Sequence, residues 1–217
     1  MNLSQQEVVN VTLHVTADEV VAARNWWDQL EGPWKMVFNE ALFNLGPILA
    51  MPPDELLLFL KKQITVLRFA GVGALNPNTS VNLTNISGLV GLEHITYLSM
   101  SNFTIPSIKA LEHHTQLEHL YFYHNQLESL QGIEKMHDLK DLYVHDNRLK
   151  DILPIKQLTN LKTAYIAGNE LQSLEGITPI HAKALRQFYV YPNDDLPDSE
   201  VIRVQNQIGI MCRRQSW

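Results

Sequence analysis

The chain has 217 residues, 45% of them hydrophobic and 18% charged, a balance that sustains a continuous buried core and argues against a disordered protein. Its formal net charge of -6, with no basic run beyond Lys61-Lys62 and Arg213-Arg214, argues against a nucleic-acid partner, since nucleic-acid surfaces bind by neutralising phosphates. A single cysteine, Cys212, excludes an internal disulfide framework and supplies no metal or redox spacing.

At the start, MNLSQQEVVN lacks a basic region followed by an apolar segment, and no apolar run approaches the roughly 20 residues needed to span a bilayer. No membrane partner and a cytoplasmic setting are therefore expected. Val9, Val11, Leu13 and Val15 alternate with polar residues, which fits a half-buried strand and equally an extended tail. Thr16 and Glu19 have capping-box spacing ahead of a helix running from Ala17 to about Leu30, which Gly32 stops. Pro33 suits the first turn of a second helix, in which Trp34, Val37, Phe38 and Leu42 recur at helical spacing. Pro52 and Pro53 break the chain before a third helix, DELLLFLKKQ, with Asp54 near its positive end and Lys61-Lys62 near its negative end. The aromatic stretch from Trp26 to Glu40 falls at helical spacing and reads as core, not as a cofactor site.

From Ile64 the pattern becomes a repeat. The segment LEHLYFYHNQLESLQGIEKMHD, from Leu117, recurs as LKDLYVHDNRLKDILPIKQLTN, from Leu139, a period of 22 residues. Leu117, Leu120, Phe122, Leu127, Leu130, Ile133 and Met136 match Leu139, Leu142, Val144, Leu149, Ile152, Ile155 and Leu158, and Asn125 matches Asn147. Further repeats start at Ile64, Ile95, Leu161 and Leu185. The first is longer, and its extra residues at 73–81 have a loop composition expected to protrude at the rim of a sheet.

This pattern resembles the leucine-rich repeat family in its short, internalin-like form. The resemblance implies an α/β fold: a leucine-rich repeat solenoid with a curved parallel sheet on its concave face. It also implies that the column Asn125, Asn147, Asn169, Asn193 is buried and satisfies backbone groups where each strand turns away, a column that Val72 and Phe103 leave in the first two repeats. His114 departs from a column otherwise held by Leu92, Met136, Leu158 and Ile180, and reads as a core-edge histidine. A solenoid leaves both ends of its core open. Residues 1–63 are accordingly assigned to a helical N-terminal cap, 64–194 to the repeats, and 195–217 to a short C-terminal cap, in which Ser199 caps a helix and IGIMC forms a strand.

Strand alternation turns the third, fifth and seventh residues of LxxLxLxxN toward the concave face. The third column reads Val66, Tyr97, His119, Asp141, Thr163, Gln187; the fifth Arg68, Ser99, Tyr121, Tyr143, Tyr165, Tyr189; the seventh Ala70, Ser101, Tyr123, His145, Ala167, Tyr191. Every tyrosine of the chain lies on this face. Tyrosine offers rigid amphipathic contact area at low entropic cost, so the candidate partner-binding residues are Tyr97, His119, Tyr121, Tyr123, Asp141, Tyr143, His145, Tyr165, Tyr189 and Tyr191. Tyr143, at the centre, is expected to be exposed in the free chain.

His124, His145 and Asp146 fall near the strand ends and read as a polar patch, because only two repeats contribute and a metal site needs three or more converging ligands. The motifs GxSxG, GxxxxGK, HExxH and CxxC are absent, so neither enzyme chemistry nor a cofactor is expected. The expectation is a non-enzymatic recognition module whose concave face binds another protein. The alternative is a small molecule or glycan on the same aromatic strip. Nothing in the sequence sets the oligomeric state.

Overall fold

A computed structural model describes residues 15–70, 74 and 79–214. The candidate strand from Val9, Val72 and most of the 73–81 segment lie outside the described residues. Among those described, seven strands form one sheet in which every neighbour is parallel and the spatial order is the chain order. They are β1 (Val66–Ala70), β2 (Tyr97–Met100), β3 (His119–Tyr121), β4 (Asp141–Tyr143), β5 (Thr163–Tyr165), β6 (Gln187–Tyr191) and β7 (Cys212–Arg214). Register is kept from coil to coil, with Tyr97 opposite His119, then Asp141, Thr163 and Gln187. The residue after each of these, Leu98, Leu120, Leu142, Ala164 and Phe188, has no exposed surface. Burying one large apolar side chain is worth about 1.5–3 kcal/mol, so a one-residue slip, which turns the whole column outward, is strongly disfavoured.

The asparagine column fixes how one coil sits on the next. Asn125, Asn147, Asn169 and Asn193 are 6–9% exposed. The Asn147 amide donates to Phe122 O in the preceding coil (2.8 Å) and to Val144 O in its own (3.0 Å), while its oxygen accepts from Leu127 N–H (2.9 Å). Asn169 repeats the scheme one coil on, donating to Val144 O and Ile166 O and accepting from Leu149 N–H. At the position before this column, which Phe103 holds in the second repeat, Asn102, His124, Asp146 and Gly168 all adopt left-handed φ values of 53–64°. This is the turn that ends each strand, and Asn, Asp and Gly tolerate that conformation best.

The returning halves of the coils are short turns: Ser87–Leu89, Lys109–His113, Leu153–Gln157 and Pro179–Lys183 are 3-10 helical, and the coil from Leu117 has turns alone. His114 is buried there, its Nε2 3.2 Å from Leu89 O. The fifth repeat corrects the column alignment. Ile180 is 40% exposed, and His181 takes the buried seat, with Nε2 3.1 Å from Ile155 O, the equivalent carbonyl of the preceding coil. That repeat runs 24 residues from Leu161 to the next start at Leu185, and its 3-10 turn begins later in the coil than the one before it, at Pro179.

The N-terminal end is covered by α1 (Ala17–Gln29), α2 (Gly32–Ala41) and α3 (Asp54–Lys62). The Thr16–Glu19 capping box is formed, but the first helix ends at Gln29 with Leu30 as its extended C-cap, so Gly32 does not stop it and instead opens the second helix. Arg24 clasps Asp54 through two hydrogen bonds of 2.6 and 2.7 Å, tying α1 to α3. Trp34 and Phe38 are fully buried against Phe69 of β1, at centroid distances of 5.7 and 5.5 Å. The aromatic stretch is therefore core. Gly88 makes room for it, since a Cβ there would lie 2.2 Å from Trp34 Cδ2. At the equivalent Gly132 and Gly176 the close neighbours are backbone oxygens of the preceding coil, Ile108 O at 2.7 Å and Ile152 O at 2.0 Å, so the indole occupies the place of a missing coil. The end of the 73–81 segment is anchored to the cap, with Ser80 N–H donating to the Glu40 carboxylate.

At the other end, α4 (Asp198–Ile202) is preceded by Pro197 at the N-cap, so Ser199 lies within the helix and does not cap it. The helix widens into a π-helical turn, Arg203–Ile208, closed by Gly209 at φ 82°. That turn absorbs the start of IGIMC, and the strand begins only at Cys212, pairing with β6 through Phe188 and Tyr189. No helix among the described residues is long and apolar enough to cross a membrane.

Candidate functional site: an aromatic ladder on the concave sheet

The fifth column stands out of the sheet because the sixth is buried, and successive parallel strands bring its rings face to face. Tyr121 stacks on Tyr143 at 4.7 Å, Tyr143 on Tyr165 at 5.3 Å and Tyr165 on Tyr189 at 4.0 Å, with interplanar angles of 21°, 5° and 29°. Tyr97 extends the row although it belongs to the third column. Its strand partner in the fifth column, Ser99, is small and 3% exposed, which lets Tyr97 lean across onto Tyr121 at 5.1 Å. The Arg68 guanidinium lies 4.4 Å from the Tyr97 ring centroid and closes that end by a cation–π contact.

Tyr143 is half-buried, not freely exposed, because both of its faces are taken. Burial raises the phenol pKa of Tyr121, Tyr143 and Tyr165, with Asp141 adding to the effect on the first two and neighbouring tyrosines contributing to all three. The hydroxyls therefore stay protonated at neutral pH and are available as donors and acceptors.

Beside the ladder, His119 Nδ1 lies 2.7 Å from Asp141 Oδ2, pairing the third column of β3 and β4. The seventh column departs from alternation. Tyr123 and Tyr191 are half-buried, but Ala70, Ser101, His145 and Ala167 are buried: β2 to β5 end before the seventh column, and β1, which reaches it, shifts register between Arg68 and Ala70. His145 sits beneath Tyr123, stacked at 4.7 Å, with Tyr165 edge-on at 5.2 Å. Burial pushes its imidazole pKa down to about 4 despite the nearby Asp146 carboxylate, so the ring is neutral at neutral pH. Tyr191 lies apart from the stack, 6.0 Å from the Arg214 guanidinium. The structure thus joins Tyr97, Tyr121, Tyr143, Tyr165 and Tyr189 in one row, pairs His119 with Asp141, and sets Tyr123 and His145 as a second, shorter stack. Arg68 and Arg214 join the face although neither was a candidate binding residue; each lies in the strand next to the tyrosine that it meets.

Strand order, constant register and the buried asparagine column define a leucine-rich repeat solenoid with a helical cap. Residues 115–157 match the family model described as leucine rich repeats (2 copies). Among solved structures the chain is similar to internalin C2 of Listeria monocytogenes, 24% identical with a TM-score of 0.44 over 54% of this chain and 46% of that one. It is also similar to an internalin of the same organism, inlF, 16% identical with a TM-score of 0.41 over 64% of this chain and 54% of that one. The matches span about half the length of each internalin. Among curated proteins, none matches the sequence.

Proposed function

We propose that the concave face binds another protein, without catalysis, using the tyrosine ladder as its anchor and His119 with Asp141 as a polar border. The supporting observation is that Tyr121, Tyr143 and Tyr165 each have a ring on both sides. Their rotamers are held before any partner arrives, so little side-chain entropy is lost on binding. With the faces occupied, the surface offers ring edges and hydroxyls. A sugar stacks on a free aromatic face, so the interior of this row favours a protein partner, burying about 800 Å² per side, over a glycan. The same proposal places the protein in the cytoplasm, which fractionation of the source cell checks.

The test is affinity capture with the full chain, followed by calorimetry on the identified partner. Tyr143→Ala is expected to weaken binding by about 2 kcal/mol or more, as central interface aromatics do. The double change Lys109→Ala, Glu112→Ala on an exposed turn of the returning half should leave affinity unchanged. A partner indifferent to Tyr143→Ala but sensitive to the second variant overturns the reading.

A further inference from the structure

We infer that His124, His145 and Asp146 form a site for a divalent transition-metal ion of the zinc class, with three protein ligands and a fourth position left for water. One donor atom from each of the three residues lies within 4.8 Å of the others. His124 Nδ1 is 3.4 Å from Asp146 Oδ2, and His145 Nε2 is 3.9 Å from the same oxygen. A tetrahedral ion with bonds of about 2.0–2.2 Å holds its ligands about 3.4 Å apart, so one pair already stands at that separation and the others have about 0.5–1.5 Å to close.

The cluster also carries a buried polar atom without a hydrogen bond. Asp146 Oδ2 is shielded from solvent and has no hydrogen-bond partner, and His145 beside it is only 8% exposed. Buried polar atoms in native proteins are nearly always paired, and a cation between a carboxylate and two imidazoles supplies the missing partner for Asp146. The backbone explains the convergence. His124 and Asp146 occupy the same left-handed turn in successive coils, at φ 53° and 55°, which sets their side chains one above the other. In the next coil that position is Gly168, where a Cβ would lie 2.3 Å from Asp146 Oδ1, so the carboxylate lies over a residue with no side chain. Tyr123 stacks on the His145 ring and walls the site on the ladder side. Two imidazoles and one carboxylate suit zinc and its neighbours, whereas calcium and magnesium take oxygen ligands. The site is independent of the partner proposed above.

The tag-free full chain, stripped with EDTA, is titrated with zinc chloride by calorimetry and with cobalt(II) by visible absorption. One equivalent should bind, with the intense absorption of four-coordinate cobalt. His124→Asn and Asp146→Asn should each weaken binding by about tenfold or more, the least expected for losing a group around a bound metal. Asparagine keeps the left-handed turn, so melting without metal should match wild type, and His124, being exposed, serves alone if the Asp146 variant melts early. The absence of stoichiometric binding, or equal affinity in wild type and the His124→Asn variant, overturns the site.

Discussion

Asn147→Ala tests the hydrogen bonding that holds one coil on the next. The substitution removes four hydrogen bonds, but it does not strand four groups: His145 O, which also accepts from the Asn147 amide at 3.2 Å, keeps His124 N–H at 3.1 Å. Phe122 O keeps the Asn125 amide at 3.3 Å, and Val144 O keeps the Asn169 amide at 3.0 Å. Leu127 N–H, in the core, loses the acceptor that Asn147 Oδ1 provides at 2.9 Å. A buried donor left unsatisfied costs about 1–3 kcal/mol, and the lost bonds to the carbonyls bring the expected total to about 2–3 kcal/mol. With a urea dependence of about 2–3 kcal/mol/M, the unfolding midpoint should fall by about 1 M. Asn147→Asp is the companion variant. It keeps an acceptor for Leu127 N–H but turns a carboxylate toward Phe122 O and Val144 O, so it should destabilise at least as much as alanine. A midpoint within about 0.2 M of wild type for alanine, or an aspartate variant milder than alanine, refutes the amide's role as donor between coils.

Tyr143→Ala removes two stacked pairs worth about 0.5–1.5 kcal/mol each, so it should lower stability by about 1–3 kcal/mol, while Tyr143→Phe, which keeps both stacks, stays within about 0.5 kcal/mol in the same melts. His114 carries a lowered pKa from burial, so above about pH 6.5 both states are neutral, and below it the unfolded chain takes the proton first. Wild type should therefore lose stability relative to His114→Leu as the pH falls from about 6.5 toward the folded pKa, and parallel curves would show that His114 is not shielded. Gly88→Ala should cost about 1–3 kcal/mol by overpacking against Trp34 and shift its fluorescence; an unchanged melt and spectrum would place the indole elsewhere. Cys212, whose thiol is pushed up to about 11 by burial, should resist thiol reagents at about pH 8 in the native state and react on unfolding.

The regular coils were legible because each position does the same physical work in every turn of the solenoid. Leu120, Leu142 and Ala164 fill one column, and Asn125, Asn147 and Asn169 bridge one gap. Departures arise where the chain stops being periodic. Counting 22 residues puts Ile180 in the core, but the longer turn at Pro179 delivers His181 there instead. Alternation predicts an outward seventh column, yet it lasts only as long as the strand, and Ser101 and Ala167 lie beyond its end. The tyrosine row was visible as a composition of one face, whereas the lean of Tyr97 onto Tyr121 depends on Ser99 being small. Ligands counted rung by rung could not show that the turn carries His124 over His145, because that placement comes from φ at residues 124 and 146.

Trp34 fills above Gly88 the space that backbone fills above Gly132 and Gly176. The helical cap thus takes the place of one more coil at this contact, while the interior joints share one set of asparagine bridges. The number of turns then becomes a free variable of the architecture. Excising residues 139–160, or duplicating them, leaves both terminal joints as they are and replaces one interior joint by its equivalent. Such a change lengthens or shortens the row of rings by one rung without touching the parts that close the molecule, so the reach of the concave face can be altered in steps of one strand spacing, about 4.8 Å.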